Sequence, residues 1–433
     1  LQVKVCVVAL GKIGLPLAVQ FAKSGLGVVG ADVNESTVAS INAGTVPFPG
    51  EAFLDEYLAE ALSSGRLRAT TDTSAAVAES DVVVVVVPLV VGDDKQPDFG
   101  AMDAATRAIA AGLQPGTLVV YETTLPVGTT RTRFAPMLAA GSGLGLGTDL
   151  FVAFSPERVY SGRIFADLRA YPKLVGGIDA ASTQRAVAFY EQALQFDPRP
   201  DLDRPNGVWD LDNAEAAELA KLAETTYRDL SIAFANELAM FADTHGIDVM
   251  RVISACNSQP FSHIHNPGIA VGGHCIPVYP RFYLAGDPDA QLPAAARAVN
   301  DGMPEYAVQR LANVLGDLSG RHVAVLGAAY RGGVKETAFS GVFGTVEALQ
   351  RRGAVATVHD PLFDDAELRS LGLEPYHLGD PCDAAVVQAE HVEYRHLTPD
   401  DIGGATVLVD GRRCVSPHPG LHIIHIGAGS TAP

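Results

Sequence analysis

The apolar positions of this chain follow two rhythms in turn. Residues 3–9 and 27–32 are short β-branched runs, and 13–24 between them repeats its apolar residues at helical spacing. Residues 82–87 are an unbroken run of valine, as expected of a strand buried on both faces of a parallel sheet. Residues 117–123 and 150–154 add two more strands, and strands alternating with helices predict a doubly wound α/β domain. Residues 196–212 are rich in Pro and Asp, hold the only tryptophan, Trp209, and read as a linker. Residues 213–244 contain neither Pro nor Gly and place Leu219, Leu222, Tyr227, Leu230, Phe234 and Phe241 at helical spacing. Such a segment forms one helix of ~30 residues, ~45 Å long, enough to span more than one domain. The α/β rhythm then returns, with strands at 322–326, 354–358, 406–409 and 421–426 and a helix at 345–352. The expected architecture is two Rossmann-like doubly wound α/β domains joined by a long central helix.

Composition narrows the class. A chain of 433 residues is long enough for two or three domains, and its 48% hydrophobic content excludes a disordered chain. The divisions expected are 1–205, 206–300 and 301–433. A formal charge of −19 argues against a general nucleic-acid binder, which needs basic patches. It leaves room for a phosphate-bearing small molecule held by backbone amides and local cations. The five cysteines, Cys6, Cys256, Cys275, Cys382 and Cys414, contain no CxxC pair and suit a reducing cytoplasm. No signal-type segment is read in the first ten residues, and the longest apolar stretch, 81–91, falls short of a membrane span. A cytoplasmic protein without nucleic-acid, membrane or metal partners is the expectation.

Between the first strand and helix lies Ala9-Leu10-Gly11-Lys12-Ile13-Gly14, a G-x-G-x-x-G fingerprint with alanine in its first position. Gly11 lets backbone approach a pyrophosphate, Gly14 allows tight helix–strand packing, and Lys12 and Ile13 lie at the helix N-terminus that would hold the anion. Asp32 ends the second strand, 21 residues after Gly11, where a carboxylate binds a ribose 2′-hydroxyl and repels a 2′-phosphate. The expected cofactor is NAD, with Val87, Pro88 and Thr124 as further contacts at strand ends.

Gly272-Gly273-His274-Cys275-Ile276-Pro277 is the most informative segment. Two glycines permit close ligand approach, and Pro277 can open a helix whose dipole favours a thiolate at Cys275. Lys221, Thr225 and Arg228 share one face of the long helix. Taken alone, a lysine there is a solvated surface charge. Glu157 and Thr124 each follow a strand, at the sheet edge where α/β folds place ligands.

The ordered motifs GKIGLP, GADVN, TTLPVGTT, SPERV, EAAELAKLAE with TTYRD and LSIAFANELA, VGGHCIPV, VNDGMP and HDP resemble the nucleotide-sugar 6-dehydrogenase family over nearly the whole chain. The resemblance implies four-electron oxidation of a sugar C6 alcohol to a carboxylate with two NAD⁺ in succession. By the same resemblance Cys275 is the nucleophile that traps the C6 aldehyde, and Glu157 activates water for thioester hydrolysis. Lys221 steadies oxyanion character at C6, and Thr124 positions the water. It also implies an NAD-binding first domain, a central region that dimerises through the long helix, and a nucleotide-sugar-binding last domain.

Four positions depart from the family pattern: Ala9 replaces the first glycine, Thr225 an asparagine, Tyr279 an aspartate and Ala338 an arginine. Thr225 keeps a hydroxyl donor for a milder version of the role. Substrate anchoring is expected from Glu157, Arg158, Val159, Lys173, Lys221, Asn266, Gly268, Gly272, Gly273, Arg297 and Asn300. The SPERV and GGHCIP forms look like the acetamido-sugar branch, and a dTDP-hexose of a secondary-metabolite pathway stays open beside a UDP-sugar. Two other readings stay open too: a single-step β-hydroxy-acid dehydrogenase, which has no use for Cys275, and a nucleotide-sugar-binding protein weakened at Thr225 and Tyr279. The partner expected is a nucleoside-diphosphate sugar, and the assembly a homodimer or higher homo-oligomer.

Overall fold

The computed structural model describes residues 3–92, 94–160 and 162–429, so the outermost residues of the first and last expected divisions lie outside it. The chain forms two compact units, Leu1–Ala223 and Glu224–Pro433.

In the first unit, the described residues build a sheet from β1 (Lys4–Val8), β2 (Gly27–Ala31), β3 (Leu67–Thr70), β4 (Val82–Val85), β5 (Thr117–Tyr121), β6 (Leu150–Phe154), β7 (Lys173–Gly177) and β8 (Val208–Asp210). Its order is β8-β7-β6-β5-β4-β1-β2-β3. The stretch 3-2-1-4-5-6 within it is the dinucleotide-binding order, with the crevice where the order reverses, between β1 and β4. All four residues of β4 are buried, as the valine run required. The run ends as a strand at Val85, two residues earlier than its composition suggests.

The strands β3 and β7 were not read from the pattern, nor were two features of the far sheet edge. β7 runs antiparallel to β6, pairing Gly177 with Ala153 and Gly176 with Phe154. Residues 196–212 are also more than a linker: β8 adds to the sheet edge in parallel with β7. The Trp209 indole N–H donates to the Pro205 carbonyl (2.9 Å) and the Arg204 guanidinium lies 4.0 Å over the ring. A three-residue edge strand flanked by Pro and Asp has too few alternating positions to show in a sequence.

Helix α1 (Gly14–Lys23) follows β1, and α2 (Ala180–Ala193) follows β7. The long helix α3 runs from Ala214 to His245, within one residue of expectation at each end.

The second unit carries a parallel five-stranded sheet among its described residues. Its strands are β9 (His322–Leu326), β10 (Val355–His359), β11 (Ala384–Val387), β12 (Val407–Asp410) and β13 (His422–His425), in the order β10-β9-β11-β12-β13. Helices α4 (Tyr279–Gly286) and α5 (Gln291–Leu315) precede it, and α6 (Gly341–Arg351) follows β9. Pro293 and Pro304 lie within α5, which is why no proline-free helical run announces it. Among the described residues no helix is long and apolar enough to cross a membrane.

Ala9, in the first fingerprint position, adopts φ 76°, a left-handed conformation that favours glycine. Its alanine is therefore a strained version of the same turn. Relief of that strain exceeds the added freedom of an unfolded glycine, so Ala9→Gly is expected to stabilise the first unit by about 0.5–1 kcal/mol. Urea unfolding measures this; a loss of stability contradicts it.

Candidate active site

The fingerprint turn is shaped for a ligand. A Cβ at Gly14 would stand 1.8 Å from the Ala9 carbonyl oxygen and 2.8 Å from Val86, so the third glycine is demanded by packing. A Cβ at Gly11 would meet nothing within 4 Å, so that glycine borders open space at the mouth of the crevice. Asp32 is half-buried beyond β2; its Oδ2 accepts the Leu10 N–H (2.7 Å) and its Oδ1 the Asn34 N–H (2.9 Å). These bonds aim the carboxylate and leave lone pairs for ribose hydroxyls. Lys12 is exposed and Ile13 half-buried at the start of α1, whose first amides lack intrahelical acceptors. The residues fit NAD. Val87 is buried, its carbonyl accepting the Thr123 hydroxyl (2.7 Å), while Pro88 is exposed beside it.

The ends of β5, β6 and β7 hold a buried charge cluster. Glu122, the residue after β5, is 1% exposed, and Lys173, the first residue of β7, is 4% exposed. The Lys173 Nζ donates to Glu122 Oε2 (2.7 Å) and to Glu157 Oε2 (3.0 Å). Glu122 Oε1 accepts the Tyr190 hydroxyl of α2 (2.5 Å), and Glu157 Oε1 accepts the Arg158 N–H (2.7 Å). Burial pushes the Glu122 carboxyl up to about 7 against the pull of Lys173. Burial also acts to raise Glu157, but the Lys173 ammonium and the hydrogen bonds outweigh it and hold that carboxyl below the usual range. Lys173 was expected to anchor substrate; its ammonium is committed to two carboxylates inside the protein, so it acts on Glu157 and not on a phosphate. Arg158 and Val159 are half-buried after β6.

Thr124 is buried in the loop after β5. That loop is pinned to α3 by the fully buried Glu218, which accepts the N–H groups of Gly128 (2.5 Å) and Thr130 (2.9 Å) and the Thr130 hydroxyl (2.7 Å). Lys221 and Thr225 on α3 are 8% and 7% exposed, so Lys221 is no solvated surface charge.

In the second unit Cys275 is an exposed free thiol on the loop before α4. The helix begins at Tyr279, later than Pro277, and the Tyr279 N–H donates to the Cys275 carbonyl (2.9 Å). The cysteine thus sits a full turn ahead of α4, where the dipole has little hold on it. The loop is clamped to the segment after β9. The Gly273 N–H donates to the Ala338 carbonyl (2.8 Å), and Gly273 itself has φ 95°. A Cβ at Gly272 would lie 2.6 Å from Tyr330 Cβ. Both glycines serve this close packing, which the sequence alone assigned to a ligand.

Arg297 and Asn300 on α5 were also expected to hold substrate. Both are buried: Arg297 grips Asp229 through Nε (2.8 Å) and Nη2 (2.7 Å), and the Asn300 amide donates to Asp229 Oδ1 (2.7 Å). The Asn236 amide donates to Asn300 Oδ1 (2.8 Å), and Asn236 Oδ1 accepts the Gly268 N–H (2.9 Å). Their donors are spent on a network that fixes Gly268 on the cysteine loop, while Asn266 on the same loop is exposed. Sequence reasoning missed Glu122, Tyr190, Glu218, Asp229 and Asn236. The available signal was an acid at the end of a fully apolar strand, which must find a partner when buried.

With this geometry in place, the relatives can be set beside it. Family models match in three segments: the NAD-binding domain of the UDP-glucose/GDP-mannose dehydrogenase family over residues 3–194, its central domain over 215–301 and its UDP-binding domain over 324–417. A UDP-N-acetyl-D-mannosamine dehydrogenase of Pyrococcus horikoshii is 33% identical, covering 98% of this chain and 99% of the relative. An NDP-N-acetyl-D-galactosaminuronic acid dehydrogenase of Ralstonia nicotianae is 33% identical over 93% of this chain and 94% of its own. Among solved structures, the Pyrococcus horikoshii UDP-D-ManNAc dehydrogenase superposes with a TM-score of 0.86 at 31% identity, covering 98% of this chain and 99% of that one. A UDP-glucose dehydrogenase of Pyrobaculum islandicum gives 0.84 at 29% identity, with 99% and 98% covered.

The fold and nucleotide turn define an NAD-dependent oxidoreductase. The chain belongs to the UDP-glucose/GDP-mannose dehydrogenase family, whose activity is four-electron oxidation of a nucleotide sugar at C6.

The internal role of Arg297 is testable. Arg297→Met leaves Asp229 buried without its cation and is expected to cost about 3–5 kcal/mol in urea unfolding. A change under about 1 kcal/mol returns Arg297 to the role of a solvent-facing anchor.

Proposed function

We propose that the substrate is a UDP- or dTDP-linked hexose, with UDP-N-acetyl-D-mannosamine the first candidate, and that Cys275 is the nucleophile. The single observation that supports this most is the exposed thiol of Cys275 on a loop held rigidly by Gly272, Gly273 and Gly268. A one-step dehydrogenase has no use for such a thiol.

NAD, held by Gly11, Lys12, Ile13, Gly14 and Asp32 with Val87, Pro88 and Thr124 alongside, supplies the hydride acceptor for each of the two oxidations. The Cys275 thiol adds to the C6 aldehyde to give a thiohemiacetal, which becomes a thioester in the second oxidation. Water then attacks the thioester carbonyl, the C–S bond breaks, and the cysteine leaves as thiolate. Glu157 takes a proton from that water, and Lys221 stabilises negative charge on the C6 oxygen. Thr124 and Thr225 help to position the water and the oxyanion. Asn266, Arg158 and Val159 remain the substrate contacts of this reading. Tyr279 supplies no carboxylate, so base chemistry falls to Glu157. The first domain thus carries NAD, the central region the dimer contact and the last domain the nucleotide sugar, in a reducing cytoplasm.

Two NADH per sugar consumed is the expected stoichiometry across a panel of UDP-N-acetyl-D-mannosamine, UDP-glucose and dTDP-glucose. One NADH per sugar favours a single-step enzyme, and none across the panel a binding protein. Cys275→Ser is expected to stop before uronate; full uronate production by that variant overturns the mechanism.

On α3, Tyr227, Phe234 and Phe241 recur at seven-residue spacing and are 60%, 51% and 60% exposed. Such a stripe is costly in water and suits a second copy of the chain. The expected solution mass is about twice the 45.3 kDa of one chain or a higher multiple. Phe234→Asp is expected to shift it toward the single chain, and a wild-type monomer contradicts the contact.

A further inference from the structure

The cluster around Lys173 uses more charge than holding a sheet together requires. One ammonium sits between two carboxylates, with Lys173 and Glu122 buried and Glu157 half-buried, and Tyr190 anchors the carboxylate farther from solvent. The Glu157 side chain is 11% exposed, whereas that of Glu122 is fully covered. The arrangement therefore has a closed end at Tyr190 and an open end at Glu157. Glu157 Oε2 is taken by Lys173, while Oε1 accepts the Arg158 N–H and keeps a second lone pair.

We propose that Lys173, set in place by Glu122 and Tyr190, is a positioning residue for thioester hydrolysis: it fixes one oxygen of Glu157 and so presents the other to the attacking water. This rests on Glu157 being the base of the reading above. In that step a water O–H bond breaks, its proton goes to Glu157 Oε1, the oxygen bonds to the thioester carbon, and the C–S electron pair departs with Cys275. Thiol and free carboxylate follow once the protons equilibrate with solvent.

The charge of the cluster sets the pH at which Glu157 can accept that proton. With an ammonium 3.0 Å away, Glu157 is ionised at neutral pH despite its burial. The other titratable or charged groups near it are Glu122 and Tyr190, Arg158, Tyr171, and Asp167, which is paired with Arg163. Without the ammonium, burial acts to raise the Glu157 carboxyl and only the hydrogen bonds from Arg158 and Glu122 oppose it. Glu122, pushed up to about 7, is already protonated where Glu157 titrates, so the acid limb reads the ammonium acting on Glu157.

The test follows the acid limb of steady-state turnover and the intact mass of the enzyme, using the full chain with NAD⁺ and whichever panel sugar turns over. Lys173→Met is expected to move the acid limb up by about 1 pH unit or more and to accumulate acyl-enzyme on Cys275 at neutral pH. Lys173→Arg should restore much of the wild-type profile, and Glu122→Gln, which replaces a group already neutral there, should leave the limb close to that of the wild type. A Lys173→Met enzyme that melts earlier but keeps the wild-type limb and shows no acyl-enzyme overturns the proposal. If that variant does not fold, Lys173→Gln, which keeps a polar but uncharged group in the gap, is read in the same way, and an unshifted limb there overturns the proposal. Glu157→Gln separates the two levels: without acyl-enzyme in this variant, Glu157 is not the hydrolytic base. Acyl-enzyme there with no effect at Lys173 rejects only the positioning role.

Discussion

An ammonium held by two carboxylates, where β5 and β6 end and β7 begins, is the interaction around which this edge of the first unit is built. Isolated in that interior, either carboxylate would have to take up a proton or force its strand end apart. Lys173 reaches both because β7 runs antiparallel to β6, which brings its first residue to the edge where β5 and β6 finish. A parallel β7 would put its first residue at the opposite edge. The single reversal in the sheet is thus what places a cation between Glu122 and Glu157.

The second unit solves a similar problem in the same way. Asp229 on α3 is fully buried and is answered by Arg297 and Asn300 from α5. The chain of amides continues through Asn236 to the Gly268 N–H, so the loop that ends in Cys275 is tied to two long helices. A further buried carboxylate, Asp360 after β10, accepts the Ala328 and Ala329 N–H groups (2.8 and 2.9 Å) and pairs with His391. The amides that follow β9 are therefore occupied by the protein itself. The formal charge of −19 says little about phosphate recognition, because Lys173 and Arg297 are turned inward to hold acids in place.

The architecture was legible wherever a local pattern had one physical explanation. Four buried valines in β4, strands at Leu150–Phe154 and His322–Leu326, and a long helix without Pro or Gly each announced themselves. The strand β8 and the proline-containing α5 did not, since their stability comes from neighbours distant in sequence. Charged residues were hardest to read. Lys173, Arg297 and Asn300 looked like ligand contacts because a basic or amide side chain carries no mark of which way it will turn.

By itself the sequence determined the alternation of strands and helices at either end of a long helix, the open Gly11 and the packing-bound Gly14, the acid at Asp32, and the cysteine after two glycines. Each is a matter of neighbouring residues and backbone freedom, which are local properties. Only the tertiary structure decided that Ala9 takes a left-handed turn, that Gly272 and Gly273 pack against the segment after β9, and that Lys173 belongs to Glu157. Those outcomes depend on what approaches from distant parts of the chain, and hydrogen-bond and ion-pair energies are set by that approach.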